Sequence, residues 1–423
     1  MLNHTVDTGQ VCRRHITAAS GSIESKGWTL VTMISKCRTL ALCAAGLTFA
    51  AHAQDAVPPA KPAILEAETS DVAKLAPLGP HRLLIGGSLR GAGVQLINGD
   101  TARVEGQIHA APASNFVIDP NSRFYYVAET MWTRLNRGTR QDLLSVYDDQ
   151  LKLVSEITLP GRLISVPKSP TLDISADGKF AYVYNMQPAT SVAVVDLVAR
   201  KTASVVEIPG CGMVYPFGPS GFASLCADGS LAYATKQGKN YSVKHTAPFF
   251  DGENDPVFEE SLVDRYTGRA FFISYTGMVY PAQLGDDVRL DAPWSLQEAA
   301  GMPRATTQSE LLAWRPGGGR FATYHKASGR LFVLMHPGEH WTHKSGGKEI
   351  WVYDVQTHKR VAQYVLEKQA TLITVTQDDK PLLFVVGGGF DGPGGLSVLD
   401  AQTGAVLRGL GGVSGSMAAV SGY

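Results

Sequence analysis

Neither sign of charge prevails in this sequence: 38 Lys and Arg face 38 Asp and Glu across 423 residues, and charged residues are only 18% of the chain. Without net charge there is no broad electrostatic pull toward nucleic acid or anionic lipid, so no nucleic-acid partner is expected. Long apolar runs are also missing. Beyond the N-terminal segment none approaches the roughly 20 residues that cross a bilayer, and no membrane span is expected. Helical periodicity is nearly absent. So are the usual catalytic signatures: no G-x-S-x-G elbow, no G-x-x-x-x-G-K-[ST], no H-E-x-x-H and no C-x-x-C pair. The residues alone nominate no catalytic group and no resident cofactor or metal.

Cysteine is scarce as well, with five in all. Three of them, Cys12, Cys37 and Cys43, fall within the first 53 residues. Met33-Ile34-Ser35-Lys36-Cys37-Arg38, the apolar stretch Thr39 to Ala50 and the small-x-small triplet Ala51-His52-Ala53 read as an export signal over 33–53. Residues 1–32 then read as an upstream extension from a mis-assigned start. Residues 54–80, rich in Ala, Pro and Glu, read as an N-terminal arm, and the expected compartment is the periplasm. Cys37 follows Lys36 and Cys43 follows Leu42, where a lipid-anchored cysteine would follow a small residue. The mature chain keeps only Cys211 and Cys226. An even pair in an exported protein suggests a disulfide worth about 3 kcal/mol by loop closure, with a redox or metal pair as the alternative.

Glycine and β-branched residues are what the sequence has in abundance, and they recur. Apolar runs ending in Asp close at Asp148, Asp196, Asp354 and Asp400, spaced 48 residues apart in the first pair and 46 in the last. Turns feeding apolar strands recur at Asp177-Gly178, Asp228-Gly229 and Ser328-Gly329. Short strands between Gly, Asp and Asn turns at such a period predict blades of a β-propeller. The 343 residues from His81 to the end hold seven periods of 49. The expectation is therefore all-β: one seven-bladed β-propeller of four-stranded antiparallel blades over 81–423.

Two local features invite a site. His336, His340 and His343 fall within eight residues and could converge on zinc or copper, or could simply occupy a solvated inter-strand loop; Pro337-Gly338 excludes a helix that would align them. Gly387 to Gly395 lacks the lysine of a phosphate loop and reads as a connection between strands.

Several ordered blocks carry a family resemblance. They are Arg137-Gly138-Thr139-Arg140, Pro188-Ala189-Thr190-Ser191, Asp255-Pro256-Val257-Phe258, Phe272 to Tyr280, Asp291 to Leu296, His325 to Pro337, Thr342-His343-Lys344 and Glu349 to Asp354, with Cys211 and Cys226 at matching spacing. Over roughly 81–410 the chain resembles the heavy subunit of quinoprotein amine dehydrogenases, and looks closer to the aromatic-amine than to the methylamine type. The resemblance implies a periplasmic heterotetramer of two heavy and two light subunits that oxidises primary amines to aldehyde and ammonia. It implies that tryptophan tryptophylquinone resides in the light subunit, that a blue copper protein such as amicyanin or azurin accepts the electrons, and that this chain is scaffold and channel wall. The family's gate phenylalanine aligns with Pro112, so that either Phe116 takes over the gate or a different substrate is admitted. A solitary periplasmic binding propeller without redox activity is the competing class. A propeller hydrolase or lactonase with a metal in its channel is a third, and would need ligands from several blades.

Overall fold

Runs rich in β-branched and aromatic residues form strands here because their side-chain faces pack against neighbouring sheets while turn residues reverse the chain. The computed structural model describes residues 74–87, 93–134, 136–387 and 394–422. The export signal over 33–53 and the extension over 1–32 lie outside them, as does all of the 54–80 arm except 74–80 and most of the glycine-rich stretch after Gly387. The chain divides into Met1–Ser70 and Asp71–Tyr423, and the described residues belong to the second unit.

That unit is an all-β propeller. Its sheets are antiparallel meanders whose first strand lies innermost. The second sheet, for example, runs Asn115–Ile118, Phe124–Arg134, Arg137–Asp148, Leu153–Thr158. The ring closes when the C-terminal strand Met417–Val420 pairs with Arg82–Gly86, so the first sheet is completed by the end of the chain. Inner strands such as Asn115–Ile118, Leu172–Ile174 and Cys211–Phe217 line an axial cavity.

The expected seven four-stranded blades are not found. Among the described residues five sheets have blade size, with four or five strands each, and the remaining sheet is continuous over eight strands. The physical reason lies in Lys359–Val375, a 17-residue strand without Gly, Pro, Asn or Asp to break it. Its first part pairs with Gly347–Asp354 and its last part with Leu382–Gly387, while the register jumps from Glu349↔Val365 to Gly347↔Ala370. Hydrogen bonding therefore runs through where a turn was expected.

The core lies between sheets. Its largest cluster gathers Phe271, Phe332, Trp351 and Tyr353. Trp351 has no exposed surface, and its indole N–H donates to Glu349 Oε2 at 2.7 Å. Such a side chain contributes several kcal/mol through burial alone.

Candidate functional site at the loop end of the propeller

An antiparallel meander sorts its connections. Turns between first and second strands and between third and fourth strands gather at one end. Hairpins between second and third strands gather at the other, with the links from sheet to sheet. The second group is longer and carries the residues singled out above.

Pro112 sits there, exposed, on the link between Arg103–Ile108 and Asn115–Ile118. The link is anchored from below by Glu129, a carboxylate only 3% exposed. Glu129 Oε2 accepts the Ala111 N–H at 2.8 Å, and its Oε1 accepts the Ser145 hydroxyl at 2.5 Å. Tyr147 adds a hydroxyl bond to the His109 carbonyl at 3.2 Å. Phe116 is elsewhere. It is buried in the inner strand Asn115–Ile118, packs with Leu84, Val94 and Tyr125, and lines the axial cavity. The structure thus separates the two channel candidates, with Pro112 at the surface of the loop end and Phe116 in the core beneath it.

The axial cavity holds Asp173 and Arg265, paired at 2.8 Å, and Glu260, whose carboxylate accepts the Ser169 N–H at 3.2 Å. Burial pushes both carboxyls above their ordinary range despite nearby arginines. Lys168 pairs with Glu259 beside it.

The histidines are not in a solvated loop. His336 is buried at the end of Arg330–Gly338, and His340 is buried with Nε2 bonded to the Asn254 carbonyl at 2.8 Å. His343 stacks on Tyr275 with centroids 3.8 Å apart. Burial holds the pKa of His336 and His343 below the usual value; the Arg315 guanidinium also depresses the first, and Lys344 and Lys168 the second. Arg315 itself is 1% exposed and is held by carbonyls rather than a carboxylate: Nε donates to Gly338 at 3.1 Å and Nη2 to Thr306 at 2.7 Å. Among the described residues the three imidazoles do not converge as a ligand set.

Cys211 and Cys226 form the disulfide. Among the described residues the one group of three metal-type ligand atoms lying together is Cys211, Cys226 and His245, and the disulfide engages both sulfurs.

Two of the resemblance blocks supply joints. Asp255 accepts the Ser274 hydroxyl at 2.8 Å and the Thr276 N–H at 2.9 Å, tying a link to a hairpin. Arg140 grips Asp142 with both Nε and Nη2 and reaches the Leu163 carbonyl of the next sheet at 3.0 Å. Sequence reasoning passed over Glu129, Arg315 and His245. Glu129 had a signal, a carboxylate closing the otherwise apolar run from Phe124 to Ala128, whereas Arg315 and His245 had none.

The family model of the methylamine dehydrogenase heavy chain matches residues 90–417. The methylamine dehydrogenase heavy chain of Methylobacillus flagellatus is 29% identical over 298 residues, 69% of this chain and 72% of that one. That of Methylorubrum extorquens is 29% identical over 377 residues, 86% of this chain and 89% of that one. Among solved structures, a putative 6-phosphogluconolactonase from Bacteroides uniformis aligns with a TM-score of 0.52 over 80% of this chain and 98% of that one; at 11% identity this is a likeness of fold alone. With a match over well more than half of its length, the chain belongs to the methylamine dehydrogenase heavy chain family.

Proposed function

We propose that this chain is the heavy subunit of a periplasmic amine dehydrogenase, a scaffold that seats a light subunit on its loop end and walls the approach of a primary amine. The observation that carries the reading is the family match from 90 to 417. In this reading two heavy and two light subunits assemble, and the light subunit bears tryptophan tryptophylquinone. That group, when present, takes the two electrons released as amine becomes aldehyde and ammonia, and a blue copper protein such as amicyanin or azurin removes them. This chain brings two of its own tryptophans together, Trp314 and Trp351, with centroids 5.3 Å apart. Because Trp351 is sealed in the core, no amine could reach a quinone built there, which supports keeping the cofactor on the partner.

The task left to this chain is positioning. Glu129 holds the Pro112 link, and a proline leaves the channel mouth without an aromatic lid. The preferred amine follows from what fills that space. The test is mild purification from the native host, native mass, and a visible scan before and after amine. A co-purifying small subunit whose quinone band bleaches on amine addition is the expected result. A colourless single chain, produced beside its own neighbouring genes, would instead support the solitary binding propeller.

A further inference from the structure

Cys211 and Cys226 stand directly opposite each other on neighbouring strands, so both side chains leave the sheet on one face. The fourth strand of the same sheet, Asn240–His245, ends near that corner. It brings His245 Nε2 to 3.9 Å from Cys211 Sγ. All three ligand atoms lie within 4.8 Å of one another. In a tetrahedral zinc site with Zn–S near 2.3 Å and Zn–N near 2.0 Å, a sulfur and a nitrogen sharing the ion stand about 3.5 Å apart. The cysteine–histidine spacing is already close to that, and the sulfurs need only separate.

The scaffold for such a site does not depend on the sulfur bond. Backbone hydrogen bonds from Cys226 to Ser230 at 3.0 Å and from Ala227 to Gly210 at 3.0 Å hold the corner, and His245 is fixed by its pairing with Ala232. The cysteines are buried while His245 is exposed, which gives an ion a way in.

We propose that this corner is a redox-gated metal site, closed by the disulfide and opened by a dithiol reductant to a two-thiolate, one-imidazole site for a single zinc ion. Reduction adds two electrons and two protons to the sulfur–sulfur bond and converts the dithiol to its own disulfide. Zinc then displaces two protons as the thiols become thiolates, so affinity rises with pH. This inference stands on the corner's geometry and not on amine chemistry.

The test uses the full chain, reduced anaerobically with a phosphine that does not compete for metal, and zinc alone as probe against a chromogenic chelator. Expected are one zinc per reduced chain, none at this corner in the oxidised chain, and roughly 30-fold or greater weakening in His245→Ala, in line with the loss that follows when metal-site partners are removed. Cobalt substitution should give thiolate charge-transfer absorption in the reduced parent and a weaker band in the variant. Zinc binding that is the same before and after reduction, or the same in His245→Ala, overturns the proposal. Should reduction loosen the sheet, circular dichroism decides: recovery on adding zinc in the parent but not in His245→Ala supports the site, and no recovery overturns it.

Discussion

At the turn end of the propeller the third strands close their own turns with local side chains; at the loop end the buried polar side chains reach out to other segments. Asn98, Asp148, Asp196, Asp354 and Asp400 each end the third strand of a meander and accept the N–H groups of the turn that follows, as Asp400 does from Gln402 at 2.9 Å and Thr403 at 2.8 Å. Each such turn is complete within a few residues. The loop end is built otherwise. His340 bonds to Asn254, Arg315 to Thr306 and Gly338, and Glu129 to Ala111, so each group depends on a separate segment. What the contrast teaches is that one end stabilises the propeller locally while the other is a surface whose shape is set by long-range packing, and such a surface can vary in its tips without loss of the blades.

The largest expected break in this comparison is at Gly317. A methyl added there would meet the His336 ring at 2.7 Å and the Ser345 carbonyl as well, in a place where backbone and buried ring have little room. Gly317→Ala should cost roughly 2–3 kcal/mol by overpacking, read as a lower urea midpoint. At the turn end Asp354→Ala removes acceptors from Gln356 N–H and Thr357 N–H and an ion pair to Arg330, and should cost about 1–2 kcal/mol while leaving partner binding unchanged. A larger loss at Asp354 than at Gly317 would reverse the assignment of local and long-range closure.

The same contrast explains what was legible in the sequence. Runs ending at Asp148, Asp196, Asp354 and Asp400 could be found because an aspartate capping its own turn is a local device, visible at fixed offsets. The disulfide was legible because only two cysteines remain once the leader is set aside. The blade count failed where the local device is missing: Lys359–Val375 carries no turn residue, and the sheet runs on. Neither reading of the histidine cluster foresaw its burial, because that is supplied by Asn254 and Tyr275, far away in the chain. His245 could not be linked to the cysteines for the same reason, since the corner exists only once four strands have paired.

A change at a loop-end tip should move selectivity and not stability. Pro112 is exposed, and Phe placed there adds a ring at the mouth of the proposed channel. With the light subunit present, Pro112→Phe should change the ratio of kcat/KM between an aromatic and a short amine by about fivefold, close to 1 kcal/mol, with the urea midpoint unmoved. An unchanged ratio would take Pro112 out of the substrate's path.

The smallest effect is in pH, and it has opposite signs at the two ends. At the turn end, burial works against the charge of His81, but Asp100 at 2.7 Å and Asp378 at 3.0 Å outweigh it and raise its pKa above 6.5. The folded protein therefore holds that proton more tightly than the unfolded chain. The added stability is full below the unfolded value and fades as pH rises through the folded one. At the loop end, burial lowers the pKa of His336 and His343, so acidification below 6.5 protonates the unfolded chain first and stability falls until their folded values are passed. Urea midpoints of the parent, His81→Gln and His336→Gln over about pH 5 to 8 should show this, each effect being below about 1 kcal/mol. The parent's advantage over His81→Gln should shrink as pH rises, while its advantage over His336→Gln should grow. Slopes of the same sign would mean that one pair of ends is not electrostatically distinct, because a histidine held by carboxylates and a histidine held by apolar burial cannot respond alike to a proton.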